Sequence, residues 1–145
     1  CQCGVRGCLE ALASGTAIAN IVRDRITQGD FPASSLSGES DSLTSATVLL
    51  AAGQGDPLAV SIVDGVVFAL SVGLANVLHL YNPDLIVLGG GVTLGLVGLD
   101  LLPRIQERVK ARAMSELHKK FRLVASPLGD DPGMVGAATL VWQNA

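Results

Sequence analysis

All three cysteines of this 145-residue chain fall within its first eight positions, in the run Cys1-Gln2-Cys3-Gly4-Val5-Arg6-Gly7-Cys8-Leu9-Glu10. Thiols bunched this tightly, with none elsewhere, cannot staple a fold together as a disulfide framework. A soft metal such as zinc satisfies them better, because Gly4 and Gly7 let the segment turn back until Cys1, Cys3 and Cys8 converge on one ion. Three ligands leave one position open. A fourth has to come from elsewhere in the chain, from residues upstream, or from water or substrate. His79 and His118 are the only histidines. Both stand in apolar or basic helix-like stretches and read as ordinary helix residues, His79 near a helix C-terminus where a polar tip is welcome. The bland alternative for the cysteines is a set of small buried hydrophobes or a redox pair, and clustering around two glycines speaks against it.

The chain begins with cysteine and has no initiator methionine, which is expected of a piece of a longer protein. No basic stretch leads into an apolar core and a small-residue cleavage site, so no signal peptide is expected. At 49% apolar and 16% charged, the chain has the composition and length of about one globular domain with a buried core. Only 3% of it is aromatic, so that core must be aliphatic. A net charge of −3 weighs against wholesale nucleic-acid binding, which brings a basic excess. Thiols kept as metal ligands point to a reducing cytoplasm.

Hydrophobic spacing predicts a short helical turn over Leu9 to Ala13 and an amphipathic helix over Thr16 to Gln28, with Ile18, Ile21, Val22 and Ile26 on one face and Gly29 closing it. The serine-rich stretch Asp30 to Ser42, with Pro32 and Gly38, is expected to be a mobile surface connection. Ser45 to Ala52 predicts a brief helix. Asp56 as cap and Pro57 at the first position start a long one that runs to about Leu80. Within it, residues 65 to 83 carry no charge, close to the ~20 residues that cross a bilayer. Gly65, Ser71, Gly73, Asn76 and His79 interrupt the run, Asp64 and Asp84 bracket it and no basic anchors flank it, so a core helix is expected and no membrane. Leu85 to Leu88, between Pro83 and three glycines, predicts a buried strand. A helix from Leu101 to about Leu117, a strand from Phe121 to Ala125 and a final helix from Met134 to Trp142 complete a helix-rich α/β pattern.

Four further features invite a chemical reading. Gly89-Gly90-Gly91, directly after the buried strand, would let backbone approach a flat or phosphorylated ligand; a tight strand-to-loop turn explains the same glycines without one. No Gly-Lys-Ser or Gly-Lys-Thr follows, so this is not a Walker loop. Glu10, taken alone, is a solvated helix-start carboxylate favoured by the helix dipole. The basic stretch Arg104, Arg108, Lys110, Arg112, Lys119, Lys120 and Arg122 reads as the solvated face of an amphipathic helix with Ile105, Val109 and Leu117 inward, since no aromatic residue interleaves before Phe121. Asp130-Asp131 could hold a cation, but Asp131 before Pro132 is better explained as a helix cap.

The run Cys1 to Glu10 resembles the C-x-C-G-x-x-G-C-x-E zinc motif of the ROK family of sugar kinases and related transcriptional repressors. Three further stretches agree in order: Ala13-Ser14-Gly15-Thr16-Ala17-Ile18, Asn82 to Val92, and Gly133-Met134-Val135-Gly136-Ala137-Ala138. The resemblance spans essentially the whole chain. It implies the carboxy-terminal lobe of an actin-like ATPase (ribonuclease H-like) fold over 1–145, with a zinc loop at 1–10 and the amino-terminal lobe outside the chain. It further implies that Cys1, Cys3 and Cys8 hold a structural Zn2+ with an upstream histidine as fourth ligand. Glu10 would bond a sugar hydroxyl, and Gly89, Gly90 and Gly91 would lie against the nucleotide. The implied reaction is transfer of the ATP γ-phosphoryl to glucose or a related hexose or acylamino-hexose, with Mg2+, in a homodimer. The catalytic aspartate, the phosphate-binding glycine loop and the Glu-x-Gly-His of such kinases have no match here, so the chain alone is expected to be inactive. A ROK repressor, which places the same cysteine motif behind a DNA-binding helix-turn-helix, is the alternative; the Ala13-Ser14-Gly15 continuation resembles the kinases more.

Overall fold

The structure, a computed structural model, describes residues 1, 3–38, 42–118, 121–129 and 131–143, the side chains of 118 and 143 excepted. Lys119, Lys120 and Asp130, singled out above, therefore lie outside the described residues, as does Gln2 of the thiol run.

Helix α1 (Glu10–Ala13) is a single turn, and Ser14 ends it and begins α2 (Gly15–Thr27) by accepting a bond from the Ala17 N–H at 3.1 Å. Gly29, at φ +78°, closes α2 as expected. The Gly29 N–H donates to the Ile26 carbonyl and the Asp30 N–H to the Arg25 carbonyl, the paired bonds that satisfy helix-end carbonyls. Thr44 and Thr47 form a reciprocal capping box at the start of α3 (Ser45–Gly53). Asp56 caps α4 (Pro57–Tyr81) through the Ala59 N–H, Pro57 sits in the first turn, and Asn82 in the left-handed region stops the helix before Pro83. Strand β1 (Leu85–Leu88) leads into α5 (Gly91–Gly98) and α6 (Leu102–Lys110), then a one-turn α7 (Ser115–His118) and β2 (Arg122–Ala125). A last helix, α8 (Pro132–Gln143), follows, with Asp131 just before it accepting from the Val135 N–H on its carbonyl.

The two strands pair in parallel, Leu85 opposite Arg122 and Leu88 opposite Ala125, which requires the crossover that α5 to α7 supply. Helix α4 is long and apolar enough to cross a bilayer, but it is the axle of the fold. One side, with Val63, Val67, Leu74 and Leu78, packs on Ile105, Val109, Phe121 and Leu123. The other, with Leu58, Ile62 and Val66, packs on Ile18 and Val22 of α2 and Val48 of α3. Burying an aliphatic side chain of this size contributes about 1.5–3 kcal/mol, so these two clusters carry the stability that the scarce aromatics do not.

Four expectations need correction. The Asp30 to Ser42 stretch is not simply a loose connection: residues 35–38 form a 3-10 turn, Leu36 is buried, and Ser34 and Ser35 are bonded to Asp56. Strand β1 is half-buried: Ile86 and Leu88 pack against the core, while Leu85 and Val87 on the other face are exposed among the described residues. The predicted Leu101 to Leu117 helix breaks after Lys110, where the Met114 N–H donates to His79 Nε2 at 3.2 Å. Helix α5 lies where only a glycine turn was expected.

The basic stretch behaves as a solvated helix face. Arg104 pairs with Asp64 at 2.7 Å, Lys110 reaches Glu107 at 3.5 Å, and the Arg112 guanidinium lies 5.1 Å from the Phe68 ring centre. Ile105 and Val109 point inward and Leu117 packs on the same core.

Candidate functional site

Left-handed turns at Gly4 (φ +74°) and Gly7 (φ +85°) fold the first eight residues into a loop, conformations that cost a side chain-bearing residue about 1 kcal/mol or more. The loop gathers the thiols as the sequence spacing predicts. Cys1 Sγ lies 2.8 Å from Cys3 Sγ, Cys3 Sγ lies 3.2 Å from Cys8 Sγ, and all three fall within 4.8 Å of one another. All three are free thiols. The Val5 N–H donates to Cys3 Sγ and, with the Cys8 thiol beside it, holds Cys3 below the ordinary thiol value. Cys8 is pushed up, first by sharing its proton with Cys3 and then by desolvation. Of these two, Cys3 gives up its proton first.

This donor set fits zinc. A tetrahedral ion with Zn–S bonds of about 2.3 Å holds its sulfurs about 3.8 Å apart, so these thiolates need move by less than about 1 Å each. Among the described residues no fourth histidine, cysteine or carboxylate joins the group. His79 does not approach it; that imidazole is engaged by Met114.

The loop hands over directly to α1. Leu9 accepts at its carbonyl from the Ala13 N–H, and Glu10 follows as the first helical residue. Glu10, Cys1, Ser14, Asn20 and Asp24 line a pocket of about 520 Å³ with Ala11, Ala17 and Ile21, a wall of mixed polar and apolar character. On the same turn, Ala13 lines a pocket of about 300 Å³ together with Gly89, Gly90 and Gly91. A single helical turn thus contributes to both a carboxylate-bearing pocket and a glycine-lined one.

The three glycines have different reasons to be there. A Cβ on Gly89 would sit 2.9 Å from Pro132 Cγ, so packing of α8 requires it. Gly90, at φ +90° and ψ 170°, caps α5 in a region open only to glycine. Gly91 begins α5 and lies at the mouth of a second groove of about 600 Å³, mostly apolar, between α3 and α5. Leu49, Leu50, Leu94 and Leu99 wall that groove. Sequence reasoning missed this wall because it missed α5; the Gly91, Gly95, Gly98 spacing, one helical face, was the available signal. Gly95 is small because Leu49 occupies the space its Cβ would take.

Gly15 was also missed as a site residue. A Cβ there would lie 3.0 Å from Ser45 Oγ and 3.8 Å from Val92 Cγ2, so the N-terminal ends of α2, α3 and α5 meet beside the glycine turn. Converging N-terminal N–H groups favour an anion.

A thiol loop that leads into a carboxylate-bearing turn beside a glycine-lined strand end, on a helix-rich core, defines an α/β domain. The family model described as "ROK family" matches residues 1–144. The chain belongs to the ROK family. It is 36% identical over 147 residues to a glucokinase of Thermotoga maritima, a match covering 99% of this chain and 45% of that protein. It is 33% identical over 141 residues to the DNA-binding transcriptional dual regulator NagC of Escherichia coli, covering 97% of the chain and 33% of the regulator. Among solved structures it is similar to a ROK family glucokinase from Streptomyces griseus in complex with glucose and AMPPNP. There the TM-score is 0.78 at 30% identity, covering 97% of this chain and 46% of that one. The chain thus spans about half the length, or less, of the proteins it matches.

Proposed function

We propose that the chain is the carboxy-terminal lobe of a ROK sugar kinase with the actin-like ATPase fold, and that its parent transfers the ATP γ-phosphoryl to a hydroxyl of glucose or a related hexose or acylamino-hexose. The observation that carries this reading is α1, a single turn that contributes Glu10 to one pocket and Ala13 to the glycine pocket. A sugar bonded by Glu10 and a phosphate laid on Gly89 to Gly91 would then be neighbours, which phosphoryl transfer needs, since positioning and charge neutralisation carry most of its rate. The groove between α3 and α5 suits the flat apolar base of the nucleotide, with the gathered helix N-termini toward its phosphates.

Cys1, Cys3 and Cys8 would hold a structural Zn2+, with an upstream histidine as the fourth ligand; when bound, the ion cross-links the loop and supplies no reaction chemistry. The loop then fixes Glu10, whose role is to accept from a sugar hydroxyl. Mg2+ arrives with ATP. The general base and the remaining sugar contacts belong to the amino-terminal lobe of the parent, so the chain by itself is inactive. The exposed Leu85 and Val87 face of β1 and the exposed Leu140, Val141 and Trp142 of α8 support the view that further chain covers them. A cytoplasmic homodimer is part of the same proposal.

The similarity to NagC favours a second reading, a sugar-responsive repressor. ATP-dependent phosphorylation of a hexose panel by the full-length parent separates the two. A kinase turns over at least one sugar, loses it in Glu10→Ala with zinc retained, and loses activity and zinc together in Cys3→Ala. Sugar binding without turnover on any hexose, with sugar-dependent DNA binding, assigns the repressor.

A further inference from the structure

Helix α4 contains two interior glycines with opposite surroundings. Glycine is disfavoured inside a helix, so each position asks for a reason. A Cβ on Gly65 would meet nothing within 4 Å. A Cβ on Gly73 would lie 2.7 Å from Leu9 Cδ2, 3.4 Å from Leu9 Cδ1 and 3.6 Å from Leu9 Cγ. The whole end of the Leu9 side chain is therefore seated in the notch that Gly73 leaves open.

Leu9 stands between the thiol loop and Glu10. Its carbonyl accepts from both the Leu12 and Ala13 N–H groups, so it sets where α1 begins. Cys8, immediately before it, is one of the three convergent thiols, and Glu10, immediately after it, lines the pocket it shares with Asn20 and Asp24. The thiol cluster closes the loop on itself near the surface, Cys1 and Cys3 being exposed. The seat on Gly73 ties the same segment to the buried axle of the fold.

We infer that Gly73 is a positioning residue for the Glu10 carboxylate: by admitting Leu9 to the face of α4, it sets the aim of Glu10 at the sugar. This rests on the proposed sugar role of Glu10 and extends it to a residue that touches no ligand. Filling the notch expels the end of the Leu9 side chain, itself 40% exposed, from its seat and so frees the turn that carries Glu10, while Gly89 to Gly91 stay where they are. A misaimed Glu10 weakens a hydrogen bond to a charged group, whose full loss costs about tenfold or more in affinity, so a cost of up to about tenfold in sugar affinity is expected.

The test uses the full-length parent with glucose, or whichever hexose it turns over, measured as sugar Kd by calorimetry and as separate KM values for sugar and ATP. Gly73→Val is expected to raise sugar Kd about tenfold, Gly73→Ala by less, with ATP KM and zinc content unchanged within about twofold. Leu9→Ala, which empties the seat without a clash, is expected to weaken sugar binding as well. Leu9→Ala combined with Gly73→Val exchanges the volumes and is expected to recover most of the affinity. General destabilisation would not show that reciprocal rescue. If Gly73→Val fails to fold, Leu9→Ala and Gly73→Ala decide alone. Sugar affinity unchanged in Leu9→Ala and both Gly73 variants, or sugar and ATP affinities falling in parallel without rescue, overturns the inference. Glu10→Ala measured alongside separates the levels. If it leaves sugar affinity intact, the sugar role of Glu10 fails and this inference with it. If it weakens binding while the Leu9 and Gly73 variants do not, only the positioning role fails.

Discussion

Replacing Asp56 by alanine removes more than a helix cap. The carboxylate accepts from the Ala59 N–H at 3.0 Å, the Ser35 N–H at 2.7 Å, the Ser35 hydroxyl at 2.9 Å, and the Ser34 hydroxyl at 3.0 Å to either oxygen. Asp56 is 9% exposed and Ser34 7%, so water does not replace the lost partners freely. Loss of a cap alone costs about 1 kcal/mol. Each hydrogen bond to a charged group is worth about 1.5–3 kcal/mol, and stranding the buried Ser34 hydroxyl adds a desolvation penalty, although the terms overlap because one carboxylate serves all of them. Asp56→Ala is therefore expected to cost about 3–5 kcal/mol, a large share of a domain stability of about 5–15 kcal/mol. Asp56→Asn keeps one acceptor for the cap but turns an amide toward donors, and should cost about 2 kcal/mol. Urea unfolding followed by far-ultraviolet circular dichroism measures both. The effect also depends on pH. Burial pushes the Asp56 carboxyl up, but the N–H groups of Ala59 and Ser35 and the hydroxyls of Ser35 and Ser34 outweigh it and hold it below its usual value of 3.8. Below that usual value the unfolded chain takes up the proton first. The stability Asp56 contributes is thus fully present above it and lost as pH falls through the lower folded value. The gap between wild type and Asp56→Ala should be constant near neutrality and narrow in acid. A loss under 1 kcal/mol, or a gap that widens in acid, would refute this account of Asp56.

Zinc added to the metal-free parent should raise its melting temperature by mass action, and Cys3→Ala should abolish that response while leaving the unliganded melting temperature nearly unchanged, as scanning calorimetry with metal analysis would show. Gly90→Ala forces a side chain into glycine-only backbone and should cost about 1–3 kcal/mol. Nucleotide titration of the same variant should show weaker ATP binding with sugar affinity spared, and a loss confined to sugar would contradict the assignment of the turn. Gly65→Ala fills open space in a helix interior and should stabilise by about 0.5–1 kcal/mol in the same urea assay. A destabilised Gly65→Ala would mean that the face of α4 there is covered in the parent.

Features that depend on a few neighbouring residues were legible in the chain. Cys1, Cys3 and Cys8 converge because two glycine turns within eight residues force them to, whatever the rest of the protein does. The Asp56-Pro57 start of α4, the Gly29 stop of α2 and the inward face of Ile105 and Val109 follow from local capping and periodicity in the same way. Tertiary contact decided the rest. Gly91, Gly95 and Gly98 argue against a helix by propensity, and α5 forms because Leu49 of α3 packs into the space that Gly95 leaves. The Leu101 to Leu117 pattern is helical throughout, yet His79, 35 residues before Met114, takes the N–H at the break. Ser34 and Ser35 read as loop residues until Asp56, which is more than 20 positions away, accepts their protons. The residues themselves fixed the thiol loop, the caps and the faces of the helices. The pairing of the Glu10 pocket with the glycine pocket, and the Leu9 seat on Gly73, arose only when segments far apart in sequence came into contact, since no local spacing encodes a distance across the core.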